Sequence, residues 1–250
     1  MALLLTYPRL VLVISFLMLW LAGWIGVRMG RRSRLEEDTR TDFGVIQGAT
    51  LTLLGLIIGF SFSMSIGRYD QRKIYEEAEA NAIGTEYLRA DLLPAAEAAR
   101  VRELLRTYTD LRIAFYVTRG FDELKKIGTD TAAVQRDLWT AIAHSAAAQP
   151  TPLVALAAGG MNDVLNSQGY TQAAWWNRIP EAAWELMFLI AIFANWMLGY
   201  GARHMQSKLL IVLPVVVSIS FFLIADIDSP RRGLIRVHPQ NLESLRDSLR

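Results

Sequence analysis

Three histidines and a scatter of carboxylates are the residues of this 250-residue chain best suited to chemistry. His144, His204 and His238 each lack a second ligand at the three- or four-residue spacing that puts two side chains on one helical face, so each reads as a surface or interface histidine. Glu76, Glu77 and Glu79 sit in a stretch that also carries Arg68, Arg72 and Lys73. That pattern predicts a solvated or salt-bridged helix face; the alternative is a vestibule whose carboxylates bias ion selection. Glu181 and Glu185 open an apolar run, where an ionisable group must be paired or wet. Asn195, in the middle of that run, is expected to hydrogen-bond between helices. Asp226 and Asp228 follow the last apolar run and are expected to cap, or to pair with arginines such as Arg68 or Arg231, rather than to hold a metal. Cysteine is absent, which removes disulfides, thiolate nucleophiles and thiolate metal sites. No Gly-rich phosphate loop, triad spacing or metalloprotease motif occurs, so the chain is expected to be no enzyme and to use no cofactor and no metal.

The elements that would position these groups are helices in a membrane. Hydrophobic residues make up 52% and charged residues 20% of the chain, against about 25% charged in soluble domains. The apolar excess is gathered into charge-free runs. Leu10–Val27, bounded by Arg9 and Arg28, is just long enough to cross a hydrocarbon core, and Trp20 and Trp24 suit the interfacial aromatic belt. A cleaved signal peptide competes for this run, but Arg9 is a thin basic region and the apolar stretch is too long. Phe43–Gly67 is the second span. The third begins near Pro180 and ends near Ala202, with Trp175, Trp176 and Trp184 at one end and Trp196 and Tyr200 at the other. Leu209–Ala225 is the fourth, with Pro214 weakening its first turns. The expected fold class is therefore all-α and polytopic: a transmembrane pair over 1–67, a helical extramembrane domain over 68–179, a second pair over 180–225, and a tail over 226–250 ending in a short amphipathic helix from Pro239. Within the domain the second span should continue unbroken to Leu92. A helix should restart at Pro94 and stop near Gly120, and further helices should start at Thr129 and at Thr151-Pro152. Gly159-Gly160 and Gly169 are expected to punctuate the rest. A net charge of +2 gives no reason to expect nucleic acid; arginines beside apolar runs point to anionic lipid headgroups.

The second span is the most informative segment. Gly48, Thr52, Gly55, Gly59, Ser63 and Gly67 recur every three or four residues and make one narrow face of small side chains, which in lipid lets another backbone approach closely. Helix packing explains that face. A sharper reading is that the helix lines the centre of an oligomer, with Thr52, Leu56 and Phe60 stacked as rings and the apolar ones forming a constriction that gates by dewetting.

Leu53–Ala82 resembles the second-helix signature of the bestrophin channels, with Gly59-Phe60, Arg68-Tyr69-Asp70, Arg72 and Glu76 at the matching positions. Ile224–Leu245 is similar to that family's post-membrane pattern of acidic residues, a proline turn and a proline-led helix. Glu79–Pro94 is similar to a stretch shared by bacterial bestrophin-like proteins. The resemblance implies a homo-oligomeric ion channel, pentameric as in true bestrophins, multi-pass in a bacterial inner membrane, whose partners are membrane lipid, permeant inorganic ions and further copies of itself. Aligned on Gly59-Phe60, the pore neck falls on Thr52, Leu56 and Phe60, with Gly48, Gly55, Gly59 and Ser63 as a helix-packing face. Arg68, Glu76, Asp226 and Asp228 then belong to a vestibule or to structural ion pairs. Two departures stand out: Thr52 is smaller and more polar than an apolar neck expects, and the acidic run of the eukaryotic calcium clasp is missing. A non-conducting membrane scaffold or sensor is the alternative, and a carrier finds no inverted repeat to support it. For orientation, Arg28, Arg31, Arg32, Arg34 and Arg40 place the first loop in the cytoplasm by the positive-inside rule, whereas the resemblance places the helical domain there.

Overall fold

The computed structural model describes residues 5–32, 37–202 and 209–249, and every regular element among them is helical. In chain order they are α1 (Pro8–Gly30), α2 (Glu37–Arg89) with a 3-10 turn at Ala90–Leu92, α3 (Ala95–Val117), α4 (Phe121–Ala148), α5 (Pro152–Trp176), α6 (Glu181–Gly201), a 3-10 turn at Leu209–Ile211, α7 (Val212–Asp228) and α8 (Gln240–Ser248).

Local chemistry accounts for most boundaries. Pro8 and Pro152 occupy first turns, where a missing N–H costs nothing. Thr151 caps α5 by accepting the Val154 N–H at 3.3 Å. Thr129, expected to start a helix, lies inside α4 and donates its hydroxyl to the Lys125 carbonyl at 3.1 Å, so it bonds back into its own helix instead of capping one. Gly159, Gly160 and Gly169 do not punctuate; α5 runs through all three. α2 starts earlier than the charge-free run, at Glu37, and continues for 53 residues without a proline.

The sequence predicts four spans. Three stretches of the described chain are long and apolar enough to cross a membrane: Pro8–Gly30, Thr39–Leu92 and Pro152–Gly201, the last containing α6. α7, at 17 residues, is shorter than the roughly 20 that a perpendicular crossing takes.

The chain divides into two compact units. One comprises Met1–Arg68 and Arg178–Arg236; the other comprises Tyr69–Asn177 and Val237–Arg250. α2 contributes to both, and the expected tail is split between them. The core of the first unit is built from Val11, Leu19, Leu54, Met187 and an aromatic group in which Phe221 lies 6.1 Å from Trp184 and 4.9 Å from Phe188, ring centre to ring centre. α1 and α6 cross here with almost no side chain between them. A Cβ placed on Gly26 would strike the Trp196 carbonyl, and one on Gly199 would strike the Gly23 carbonyl. Small residues at such a crossing are the usual device for packing helices in lipid. The second unit closes on Ile83, Val101, Leu105, Leu138, Met161 and Leu242, with Trp175 4.9 Å from the Phe115 ring.

Candidate functional site

α2 presents two opposite stripes. Leu51, Leu54, Ile58, Ser61 and Ser65, spaced three and four apart, turn toward the first unit; Leu54, Ser61 and Ser65 are buried, and Leu51 and Ile58 pack against its core. The other stripe carries Gly48, Thr52, Gly55, Leu56, Gly59, Phe60 and Ser63, all exposed in the single chain. Nothing lies within 4 Å of a Cβ built on Gly48, Gly55 or Gly59. Leu56 and Phe60 keep 54% and 65% of their surface uncovered. The most apolar window of α2 is only 6% buried, against 33% for α1 and 44% for the stretch that contains α6, so of these three stretches among the described residues the one that reads as central is covered least.

Thr52, Leu56 and Phe60 lie one turn apart and span about 12 Å along the axis. Thr52 donates its hydroxyl to the Gly48 carbonyl at 2.9 Å. That bond satisfies its proton within the helix and lowers the polarity the residue offers outward.

Asp226 and Asp228 organise the polar end of the first unit. Asp226 accepts the Leu234 N–H at 2.8 Å and the Ile235 N–H at 2.8 Å, folding the chain back after α7. Asp228 accepts the Ile179 N–H, 3.2 Å from each oxygen, and pairs with Arg68 at 3.4 Å and Arg178 at 3.5 Å. These carboxylates are engaged with backbone amides and guanidinium groups, a setting that anchors the helix ends rather than awaiting a cation. Among the described residues, no group of three His, Asp or Glu side chains is placed to hold a metal ion.

In the second unit Glu76 and Glu79 on α2 face inward; Glu79 takes the salt-bridged form of the expected face, and the solvated form holds for neither. Glu76 is buried and accepts the N–H groups of Asn241 and Leu242, at 2.9 and 3.0 Å, and the Asn241 side-chain amide at 2.6 Å. It therefore caps α8 from another element, supplying the acceptor that a helix N-terminus needs. Glu79 is buried against Arg112, which donates Nε and Nη2 to its two oxygens, while the Thr171 hydroxyl donates at 3.2 Å. Arg112 also lies 4.5 Å from the Phe115 ring centre. Desolvation works against its charge, but the Glu79 carboxylate outweighs this and holds the guanidinium pKa above its usual value. Burial, reinforced by Glu79, raises the Tyr108 and Tyr116 phenols as well. Only Glu77 keeps an exposed position.

Sequence reasoning missed Glu86. It is fully buried, no hydrogen bond reaches either carboxylate oxygen, and burial pushes its pKa from 4.5 up to about 8 despite Arg89 beside it; Asp163 on α5 adds to the rise. Its seven-residue spacing from Glu79 was the available signal. Asn195 donates to the Ala191 carbonyl at 2.8 Å, within its own helix. His144 meets Glu97 at 3.0 Å on the surface, His238 is exposed, and His204 lies outside the described residues.

A family model described as a Bestrophin-like domain matches residues 13–242. No relative is found among curated protein sequences. Among solved structures, the chain is similar to a bacterial bestrophin homologue from Klebsiella pneumoniae, at 14% identity and a TM-score of 0.64, with 95% of this chain and 96% of that one covered. A single-substitution variant of a Klebsiella pneumoniae homologue gives a TM-score of 0.66 at 14% identity, covering 95% and 97%. A crystal structure described as that of a membrane protein gives 0.67 at 13% identity, covering 95% and 97%.

Proposed function

The chain belongs to the Bestrophin-like family and is a membrane protein, and from that premise we propose that it works as a homo-oligomeric ion channel of the bacterial inner membrane. Four helices cross the bilayer: α1, the first part of α2, α6 and α7, the short α7 extended by the turn at Leu209–Ile211. Copies of α2 surround the central path, and Thr52, Leu56 and Phe60 from each copy stack as the neck. A pentamer is the assembly the family resemblance favours.

One observation carries this reading. Of the three long apolar stretches among the described residues, the one built on α2 is the least covered by its own chain, and its outward stripe combines small residues with Leu56 and Phe60. Lipid covers apolar side chains as well as protein does, but a face of small residues is what close helix packing in lipid uses, and symmetric copies of the chain supply the matching helix. Arg68 and Asp228 stay paired at the end of the span, and Glu76 holds α8; neither role requires them to contact the permeating ion.

Purified protein in planar bilayers should conduct, and Leu56→Ala and Phe60→Ala should each raise the conductance by widening an apolar constriction. A monomeric particle by electron microscopy, or an oligomer whose central helices meet without a lumen, overturns the channel; the second outcome fits a non-conducting scaffold.

A further inference from the structure

Near the C-terminal end of α1 the chain forms a cavity of about 520 Å³ with two kinds of wall. Trp20, Trp24 and Val27 succeed one another at four- and three-residue steps on one side of the helix, and Leu210 faces them. Beyond this apolar wall, one turn along, come Arg28, Arg31 and Arg32. Both tryptophans are about half uncovered, at 48% and 51%. The Arg28 guanidinium lies over the Trp24 ring, 5.7 Å from its centre, which joins the basic wall to the aromatic one.

The volume falls within the range of organic ligand pockets and far exceeds what one inorganic anion fills. The chemistry selects the occupant. Three guanidinium groups call for a phosphodiester, which arginine binds through paired N–H donors. Tryptophans at a membrane boundary mark the depth at which headgroup gives way to hydrocarbon. A molecule with an anionic phosphodiester at one end and an acyl chain at the other meets both walls at once.

We propose that this cavity is a specific site for one anionic phospholipid, with its phosphodiester on Arg28, Arg31 and Arg32 and the start of an acyl chain along Trp20, Trp24 and Val27. The site rests on membrane embedding alone, so it holds whether or not the protein conducts.

Full-length protein in detergent is titrated with phosphatidylglycerol or phosphatidylcholine. Retained lipid is counted by native mass spectrometry, and thermal unfolding is followed in parallel. The expected result is one phosphatidylglycerol per chain and a raised midpoint, with no such effect from phosphatidylcholine. Replacing Arg28, Arg31 and Arg32 together by Gln should weaken retention on the order of 100-fold, at about 1 kcal/mol for each arginine. Arg9→Gln, at the other end of α1, should leave retention unchanged and shows that general surface charge is not responsible. Trp20→Ala, which leaves all three guanidinium groups in place, should lower retention as well. The site is refuted by equal retention of both lipids, by retention that survives the triple substitution, by equal loss on Arg9→Gln, or by inorganic phosphate reproducing the whole thermal shift.

Discussion

At the residue scale, Glu86 shows burial prevailing over a neighbouring guanidinium in setting a proton's affinity. Its folded pKa of about 8 stands above the unfolded value of 4.5. Between those pH values the folded protein keeps a proton that the unfolded chain has released, so stability falls as pH rises through that window, by at most about 1.4 kcal/mol per unit. Glu86→Gln keeps the shape without the charge. The midpoint of thermal unfolding should then match the parent at about pH 4 and below and exceed it by a growing margin up to about pH 8; a parallel decline in both proteins would refute the assignment. Gly160 supplies the room for this group, since a Cβ there would strike the Glu86 carboxylate and the Arg89 guanidinium, whereas Gly159 next to it faces open space. Gly159→Ala should therefore stabilise by about 0.5–1 kcal/mol, the ordinary helical gain. Gly160→Ala should destabilise, because a buried acid would have to move. Both follow from thermal or denaturant unfolding of the purified variants.

At the scale of elements, the contrast lies between glycines that are used inside the chain and glycines that are not. Gly26 and Gly199 mark the closest backbone approach of α1 and α6. Alanine at either should force the helices apart and cost several kcal/mol, in the upper range for overpacking, seen as loss of folded protein in detergent. Gly55→Ala meets nothing in one chain, so it should leave protomer stability unchanged or slightly raised and alter only the assembly, which size-exclusion chromatography would detect. α8 depends on Glu76, and Glu76→Ala should cost about 1–3 kcal/mol by leaving its N-terminal amides unmet; faster proteolysis at Arg246 would reveal the loosened helix. Much of this architecture was legible in the sequence. Charge-free runs, prolines at first turns and the unbroken course past Arg68 follow from local rules that operate within a few residues. The α1–α6 crossing was not legible, although Gly23, Gly26 and Gly30 stand in plain view, because the partner helix lies far along the chain and spacing alone cannot say which stripe meets it. The inward turn of Glu76, Glu79 and Glu86 was hidden for a related reason. Carboxylates beside arginines fit a solvated face or a salt-bridged one until Arg112 and Thr171 arrive from other elements to meet Glu79 and Asn241 to meet Glu76.

At the scale of the whole molecule, the outward stripe of α2 divides substitutions by where their effects are felt. A change at Gly26 damages the subunit that carries it, and such a subunit is lost before it meets others. A change at Phe60, exposed in the single chain, should leave the subunit intact and, on the proposed assembly, be felt only where copies come together. In a cell making parent and variant chains side by side, the first kind of defect should behave as recessive, because the sound subunits assemble among themselves. On the proposed channel assembly the second should be dominant, since each mixed oligomer would inherit an altered neck from whichever subunit brought it; co-expression of parent and Phe60→Ala chains with conductance recording checks this.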